Sequence, residues 1–406
     1  MAAYDHYFLM SAADIPEYAY EKIPQIEWDR ATMQASEIGD GNLNYVFRVY
    51  DGKGHSAIIK HAGEAIRINS DMHIETNRNE RESEILMLEE KLCPGMVPHI
   101  YFYDTVMCAC GMEDLSDHEM MRTAMLKHET FPHFAEDIAK FLFDTLIMTT
   151  DLVMDHQEKK RLVKKYTNPQ LCDMTENLVL TEPYNDCNHL NHVYAPNAEF
   201  VQKQLYDDEA LHLEVAKLKF NFMTNAQSLL HGDLHTGSIF IKQDSTKVFD
   251  PEFTFYGPMG YDIGNVAANL IFAWENGLST NDEKFCGWCL NTVRDFLDLF
   301  IARYNEKYDS VVTERMAKTP GFKEWYLSTI LRDTAGYTGT ELHRRTVGMA
   351  NVKDVTTIKD EKMRVLAERI NILAGKNFIM SADQFRDGSS FVDAVMRAKE
   401  AAEWTL

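Results

Sequence analysis

Two aspartates 17 positions apart carry the strongest chemical signal in the sequence. Asp233 lies in the polar segment His231-Gly-Asp-Leu-His-Thr-Gly-Ser238, and Asp250 ends the strand-like segment Lys247-Val-Phe-Asp250. A hairpin between them would bring both carboxylates to one cleft. Phosphoryl transfer needs such a pair, because one carboxylate orients or deprotonates the attacking hydroxyl while the other holds the Mg²⁺ that bridges the nucleotide phosphates. Each aspartate alone is compatible with a solvated loop residue, but the whole segment with its spacing predicts a site for phosphoryl transfer.

The rest of the sequence predicts the elements that must position these residues. A short helical lead-in occupies residues 1–30, and β-forming segments at 45–50 and 56–60 flank a turn and predict a hairpin. A charged helix at 75–92 and two strands near 99–104 and 105–112 follow. Beyond Leu115 the periodicity is mainly helical. The pattern predicts an α+β fold with a small antiparallel-sheet N-terminal lobe and a larger helical C-terminal lobe.

Composition limits the classes of function. Acidic residues outnumber basic ones 63 to 41, for a net charge of −22 over 406 residues, and no long Lys/Arg block is present. We therefore expect no nucleic acid partner. Phosphate chemistry in so acidic a chain requires a local pocket of placed Lys, Arg and backbone N–H groups, with a metal. No apolar run approaches the ~18 residues of a spanning helix, so we expect no membrane partner.

Cysteine usage and the first residues predict a cytoplasmic protein. The seven cysteines are few for the length and odd in number, which argues against a disulfide framework. The N-terminal segment lacks the cationic start of a secretory signal. Cys286 and Cys289 have the spacing of a redox or half-zinc site, but they lie in a helix-like segment with no second close Cys/His pair. We interpret them as structural.

Several motifs together resemble one enzyme family. They are IGDGNLNYVF at residues 38–47, MEDLS at 112–116, HGDLHTGSIF at 231–240 and DPEFTFYGPMGYD at 250–262. In this order they resemble the methylthioribose kinase family, within the aminoglycoside phosphotransferase and choline kinase branch of the protein-kinase-like fold. The similarity runs from about residue 36 to about residue 352 and is most specific at 231–264.

The resemblance implies an architecture and an activity. The fold is then bilobal and protein-kinase-like, with a nucleotide-binding lobe at 1–112 and a catalytic and substrate-binding lobe at 113–406. The implied reaction is ATP-dependent phosphorylation of the 1-hydroxyl of S-methyl-5-thio-D-ribose, a small sugar of methionine salvage, with Mg²⁺ as cofactor. A homodimer is implied as well.

The resemblance also implies roles residue by residue. Asp233 is the catalytic residue and binds substrate together with Arg344 and Arg345, while Asp250 and Glu252 hold the metal. The implied ATP-binding residues are Gly39, Gly41, Asn44, Lys60, Glu82, Glu113, Asp114, Leu115, Asp250, Pro251 and Glu252.

Some assignments within this set need further argument. Lys60 could be an ordinary exposed strand lysine, but its Ala-Ile-Ile-Lys context and its offset from residues 38–44 favour contact with phosphate. Its expected helical partner is Glu82. Glu84 is the alternative partner, although it lies two positions further along and points to another face of the helix. Glu113, Asp114 and Leu115 would form a hinge whose backbone bonds the adenine edge.

The loop around Asp233 contains residues of expected structural or open role. His231 and Asp262 are implied as supports of the loop, whereas the role of His235 stays open. Ser238 stands where most of the superfamily has an Asn metal ligand, and this departure shifts metal binding to Asp250 and Glu252.

Two alternatives remain at this point. Another small-molecule kinase of the same branch would act on choline, homoserine or an aminoglycoside. A choline site needs an aromatic cage and an aminoglycoside site an acidic wall, and Arg344 and Arg345 suit neither cation. Adjacent helical arginines point about 100° apart, so at most one of them need face a given ligand. A non-catalytic nucleotide-binding scaffold is the other alternative, and the presence of Lys60, Asp233 and Asp250 argues against it.

Overall fold

The computed structural model describes residues 4–38, 44–63 and 78–406. The chain divides into two compact units. The first is formed by Met1–Glu119 and Lys247–Glu252, and the second by Met120–Thr246 and Phe253–Leu406.

The first unit is built on an antiparallel sheet. Its strands are β1 (Gln34–Ile38), β2 (Asn44–Tyr50), β3 (Ser56–Ala62), β4 (Ile100–Asp104) and β5 (Ala109–Met112), and its helices are α1 (Ile15–Lys22) and α2 (Arg78–Leu92). The strand order is β1-β2-β3-β5-β4. Phe47 and Val49 alternate with less buried residues on β2 and pack with Tyr18 of α1 in the core of this unit.

The central strand β3 positions Lys60. Its register places Lys60 opposite Val46 of β2 and Cys110 of β5. Because successive side chains of a strand point to opposite faces, Lys60 lies on the face opposite the buried Ile59. Strands on both sides therefore hold the lysine backbone in place.

The second unit is mainly helical. Its helices are α3 (Met121–Leu126), α4 (Phe134–Leu146), α5 (His156–Lys165), α6 (Pro169–Leu178), α7 (Glu182–Asn185), α8 (Ala198–Val201), α9 (Glu209–Thr224), α10 (Gly260–Ser279), α11 (Glu283–Val311), α12 (Phe322–Val347), α13 (Lys353–Thr356), α14 (Glu361–Met380) and α15 (Gly388–Glu403). The remaining short strands are β6 (Glu119–Met120), β7 (Ser228–Leu230), β8 (Ile239–Lys242), β9 (Ser245–Val248) and β10 (Phe255–Gly257). Strand β7 pairs antiparallel with β10, and β6, β8 and β9 form a three-stranded sheet.

Helix α10 supports the segment that follows β7. It is buried from Gly260 to Gly277, as expected for a helix that is largely apolar on all sides. Asp262 and Asn269 are seven positions apart, about two turns, and therefore share a face. Both side chains form hydrogen bonds with residues of the segment 231–238 in the second unit. The buried helix thus presents two polar groups to an otherwise irregular loop.

The predicted elements agree with the structure except in detail. The hairpin at 45–50 and 56–60 corresponds to β2 and β3, and the charged helix corresponds to α2. The predicted strand at 105–112 is shorter, because residues 105–108 form a turn in which Cys108 has a φ of 49°. None of the described helices has an apolar stretch of the length that a bilayer crossing requires.

The unit boundaries differ from the predicted lobe boundary between residues 112 and 113. The first unit extends to Glu119 and also takes in Lys247–Glu252. The assignment of nucleotide binding to residues 1–112 and of catalysis to residues 113–406 stays a prediction.

Candidate active site

Lys60 is the centre of a charged cluster in the first unit. Its Nζ lies 2.8 Å from Oε1 and 2.7 Å from Oε2 of Glu82, and 2.6 Å from Oδ1 of Asp250. Glu82 is buried on α2, so the partner is the residue that the sequence favoured over Glu84. The structure therefore brings together three of the residues selected from the sequence.

The charge state of Lys60 follows from its neighbours. Burial lowers the pKa of Lys60, but the attraction of Asp250, Glu82 and Glu252 outweighs burial, and the pKa lies above its usual value. A lysine that stays protonated in this way is a permanent cation that can bind phosphate oxygens.

Asp250 has an unusual backbone. Its φ is 67°, a left-handed conformation that non-glycine residues seldom adopt. Such backbone strain concentrates at functional sites, where the surrounding structure holds it. The Asp250 side chain is 36% exposed, so it can meet a ligand while it bonds Lys60.

Asp250 and Glu252 are chemically suited to magnesium. Mg²⁺ at nucleotide sites is usually held by one or two carboxylates and by substrate phosphates. Within the described residues, no group of three or more His, Cys, Asp or Glu side chains is arranged to hold a metal ion by itself. Asp250 and Glu252 supply two carboxylates, the number that an ion bound partly by nucleotide phosphates takes from the protein.

The residues predicted to form the hinge, 113–115, have well-defined partners in the first unit. The Glu113 N–H donates to His99 O at 2.8 Å, and the Glu113 carboxylate accepts from Lys247 Nζ at 3.3 Å. The Asp114 carboxylate accepts from Arg48 Nε at 2.6 Å. These bonds fix the backbone up to Leu115, whose carbonyl accepts from the His118 N–H.

Two of the expected phosphate-loop residues, Gly39 and Gly41, lie outside the described residues. Asn44 is described: it is buried and begins β2, opposite Ala62 of β3. Its position at the end of the predicted loop agrees with the expected site, and its contact with phosphate stays a prediction.

In the second unit, Asp262 holds the loop that carries Asp233. Its Oδ2 accepts from the His231 N–H at 2.7 Å and its Oδ1 from the Gly232 N–H at 3.0 Å. Burial raises the pKa of Asp262 to about 6, although the charge of His231 and these two bonds act in the opposite direction. Gly232 has a φ of 84°, and a Cβ there would lie 2.4 Å from Phe253 O, so only glycine fits.

Asp233 lies among cationic and donor groups. His235 Nε2 is 3.3 Å from its Oδ2, while Arg344 and Arg345 approach its Oδ1 at 3.3 and 3.8 Å. Burial raises the pKa of Asp233, but His235 and the two arginines outweigh it and bring the pKa well below its usual value. Ser238 Oγ donates to the Asp233 carbonyl at 2.9 Å and so stabilises the loop.

The two guanidinium groups of the arginine pair lie beside the same carboxylates. Arg344 Nε bonds Glu341 Oε2, and Arg345 Nε bonds Glu341 Oε1 at 3.0 Å. Both guanidinium groups also approach Asp233. The two groups meet because the long arginine side chains bend toward one buried carboxylate, although their backbone directions differ by about 100°. Which of them faces a ligand stays a prediction.

Glu341 is a site residue that the sequence reasoning missed. It is fully buried, and Arg344 and Arg345 outweigh the effect of burial, so its pKa is lowered. Its spacing of three and four positions before the two arginines is the helical ion-pair pattern and was the available signal.

Arg122 and Asn269 were also missed. Arg122 on α3 donates from Nε to Thr236 Oγ1 at 3.2 Å and from Nη2 to Asn269 Oδ1 at 2.7 Å. These partners are more than 100 positions away in the sequence, so no local pattern could have found them. A third arginine therefore anchors the segment 231–238.

The cysteine interpretation agrees with the structure. Cys286 and Cys289 are free and buried on α11. Burial raises the pKa of both thiols. Thiols of raised pKa are poor nucleophiles and metal ligands, which fits a structural role.

Similarity to known proteins identifies the family of this chain. Residues 34–311 match the family described as "Phosphotransferase enzyme family". The methylthioribose kinase of Erwinia tasmaniensis is 37% identical and covers 94% of this chain and 96% of its own. The methylthioribose kinase of Yersinia enterocolitica is 35% identical, and the match covers 97% of this chain and 99% of that kinase. The solved choline kinase of Cryptosporidium parvum aligns at a TM-score of 0.48 with 10% identity over 96% of each chain.

The chain therefore belongs to the phosphotransferase enzyme family and, within it, to the family of the methylthioribose kinases. The predicted α+β fold class, with an antiparallel sheet toward the N-terminus and a mostly helical remainder, is confirmed. The predicted class of enzyme, a phosphotransferase, is confirmed as well.

Proposed function

We propose that this enzyme transfers the γ-phosphate of ATP to the 1-hydroxyl of S-methyl-5-thio-D-ribose. The product is S-methyl-5-thio-α-D-ribose 1-phosphate, an intermediate of methionine salvage. The observation that carries the proposal is the 35–37% identity to methylthioribose kinases over 94–97% of the chain. The contacts of the two charged clusters support it.

The cluster around Lys60 is assigned to the nucleotide. Lys60, oriented by Glu82, contacts the phosphates, together with Asn44, Gly39 and Gly41. The Glu113 N–H is already bonded to His99, so the Glu113 carbonyl is the group of that residue left to accept from an adenine amino group. Asp114, Leu115 and Pro251 complete the nucleotide contacts.

Asp250 and Glu252 are assigned to Mg²⁺. When bound, the ion neutralises charge that develops on the transferred phosphoryl group. Asp250 already bonds Lys60, so one carboxylate links the lysine and the metal site and keeps both against the same phosphates.

Asp233 is assigned to the acceptor hydroxyl. Its lowered pKa means that the carboxylate is ionised at neutral pH, so it orients the hydroxyl and accepts its proton as the new P–O bond forms. A weak base suffices, because the transition state of phosphoryl transfer is loose and an anomeric hydroxyl is more acidic than an ordinary alcohol.

Arg344 and Arg345 are assigned to the sugar hydroxyls and the transferred phosphate. Glu341 holds both guanidinium groups beside Asp233. Planar guanidinium donors suit phosphate oxygens, and their position close to Asp233 is where the phosphoryl group must arrive.

The cellular setting belongs to the same proposal. We place the enzyme in the reducing cytoplasm, and its free cysteines, including the exposed Cys187, suit that setting.

The test is an ADP-release assay over a panel of acceptors, namely methylthioribose, ribose, choline, homoserine and kanamycin. We expect turnover with methylthioribose to exceed that with every other acceptor. Phosphorus NMR should place the new phosphate on the anomeric oxygen. Preferred use of choline, homoserine or kanamycin would overturn the substrate, and no ADP release with any acceptor would favour the scaffold alternative.

A further inference from the structure

His235 lies in the loop 231–238 and has no part in the reaction as assigned so far. Its two ring nitrogens meet different partners. Nδ1 lies 3.0 Å from the Gly237 backbone nitrogen, and Nε2 lies 3.3 Å from Asp233 Oδ2. The ring is 16% exposed. It therefore connects the loop backbone to the carboxylate.

The backbone selects the tautomer of this ring. An N–H group can only donate, so Nδ1 must present a lone pair to Gly237, and a neutral imidazole then carries its proton on Nε2. Ser238 Oγ is 3.4 Å from Nδ1, but its hydroxyl proton is directed to the Asp233 carbonyl. The Nε2–H is therefore left to donate to Asp233 Oδ2.

The ring is also held sterically and electrostatically. A Cβ at position 237 would lie 2.8 Å from Cε1 of His235, so the ring occupies space that only a glycine leaves open. Burial lowers the pKa of His235, and Arg345 and Arg122 lower it further against the attraction of Asp233. These contacts describe a neutral donor with a fixed orientation.

We propose that His235 is a positioning residue that fixes the rotation of the Asp233 carboxylate through its Nε2–H. The proposal rests on the catalytic role assigned to Asp233. Asp233 already meets two arginines, and a third cation would weaken its ability to accept the hydroxyl proton. A neutral donor orients the carboxylate without that cost.

Two substitutions separate this role from loop support. Gln at position 235 places an amide N–H near the Nε2 position, and Asn places its carbonyl near the Nδ1 position without reaching Asp233. We expect H235N to lose about 10–100-fold in kcat with little change in KM for either substrate. H235Q should recover at least half of that loss on a logarithmic scale. The proposal is wrong if H235N keeps the wild-type kcat, or if the kcat of H235N is higher than that of H235Q.

A double-mutant cycle tests whether the effect passes through Asp233. In the D233N background we expect H235N to change kcat by less than about 3-fold. A further loss as large as that in the wild type would show that His235 acts independently of Asp233. G237A, which displaces the ring but keeps His235, should reproduce the kcat loss, and an unchanged kcat would contradict the contact.

The tautomer has its own readout. Nitrogen-15 NMR of histidine-labelled enzyme, with H235Q identifying the signal, should show a neutral ring protonated on Nε2, and a proton on Nδ1 would overturn the proposal. This measurement does not depend on the acceptor, so it stays decisive if methylthioribose proves not to be the substrate.

The matched control for the kinetic measurements is H343Q, which removes another buried histidine of the second unit and should leave kcat unchanged.

Discussion

Asp233 illustrates how neighbours decide the chemistry of a single carboxylate. Burial alone would favour its protonated form, yet His235, Arg344 and Arg345 bring its pKa well below the usual value. In the proposed mechanism the side chain therefore orients the hydroxyl and accepts its proton late. A histidine base of pKa near 7 would act differently, by taking the proton early.

Replacing Asp233 by Asn tests this role. The amide keeps the shape of the side chain but can neither carry the charge nor accept the proton. We expect kcat to fall by about 10²–10⁴-fold, with the Kd for ATP almost unchanged. Steady-state kinetics and calorimetric titration with ATP measure the two quantities. Turnover close to that of the wild type would remove Asp233 from catalysis.

The metal residues can be tested one by one. Asp250→Ala should abolish turnover even at raised Mg²⁺, because it removes a ligand and also a partner of Lys60. Glu252→Gln should raise the Mg²⁺ concentration needed for half-maximal activity. Kinetics over a Mg²⁺ series measures both.

A matched control for the metal series is Glu17→Gln, which removes a surface carboxylate of the same unit that pairs with Arg30. It should leave the Mg²⁺ dependence unchanged. If Glu252→Gln behaves like this control, Glu252 is not a metal ligand.

At the scale of the element, α12 acts as a scaffold for charge. Glu341, Arg344 and Arg345 occupy little more than one helical turn, and one buried carboxylate holds both guanidinium groups. The helix thereby presents two cations and compensates their burial with its own acid. Loss of either arginine should consequently lower kcat/KM for the acceptor.

We expect Arg344→Ala and Arg345→Ala each to lose about 10–100-fold in kcat/KM for methylthioribose. Lysine at either position should restore only part of the lost kcat/KM, because lysine lacks the planar guanidinium group with its paired N–H donors. Glu341→Gln should lower kcat/KM as well, since it frees both side chains. ATP affinity should be retained in every variant. Wild-type kcat/KM in both alanine variants would remove the arginines from the acceptor site.

His343 couples α12 to α14 and makes stability depend on pH. Its Nε2 lies 3.0 Å from Ile372 O and its Nδ1 lies 3.1 Å from Tyr184 Oη. Burial lowers the pKa of His343 to about 4. The unfolded chain binds a proton near pH 6.5 and the folded chain does not, so this contribution is complete above pH 6.5 and is lost as the pH falls toward 4.

We expect the free energy of unfolding to fall on the order of 1–3 kcal/mol over that interval because of His343. His343→Gln should be less stable at pH 7 and should show a shallower decline. His61 of β3, whose pKa burial also lowers to about 4, adds a slope that remains in the variant. Urea unfolding from pH 4 to 7 measures the difference, and parallel curves would contradict the assignment.

At the scale of the whole molecule, a strongly acidic chain still gathers several arginines at one place. The net charge is −22, yet Arg122, Arg344 and Arg345 lie around one loop of the second unit. Asp233 and Glu341 neutralise part of this charge. In the proposed mechanism an incoming phosphate must therefore compete with internal carboxylates for the guanidinium donors.

The resemblance to methylthioribose kinases also predicts a homodimer. Sedimentation equilibrium at micromolar concentration should give twice the mass of the chain. A single-chain mass that does not change with concentration would contradict the prediction. The same experiment with Mg²⁺ and ATP tests whether the association depends on ligand.

The sequence by itself determined the fold class and the enzyme family, and it predicted most of the candidate site residues. It could do so because the motif residues are close together in the chain: Asp233 and Asp250 flank one hairpin, and Lys60 belongs to a recognisable strand. Helical periodicity, a local property, placed Glu82 and Glu84 on different faces of the helix, and the resemblance favoured Glu82, which the structure pairs with Lys60.

Only the tertiary structure decided the contacts between distant segments. Arg122 meets Asn269 across 147 positions, and Arg344 meets Asp233 across 111. Both arginines bend to Glu341, and the Gly237 N–H selects the proton position of His235. Such contacts depend on how buried helices pack around a loop and on which hydrogen-bond partner remains available there. Periodicity and spacing along the chain predict neither the packing of the helices nor the available hydrogen-bond partner.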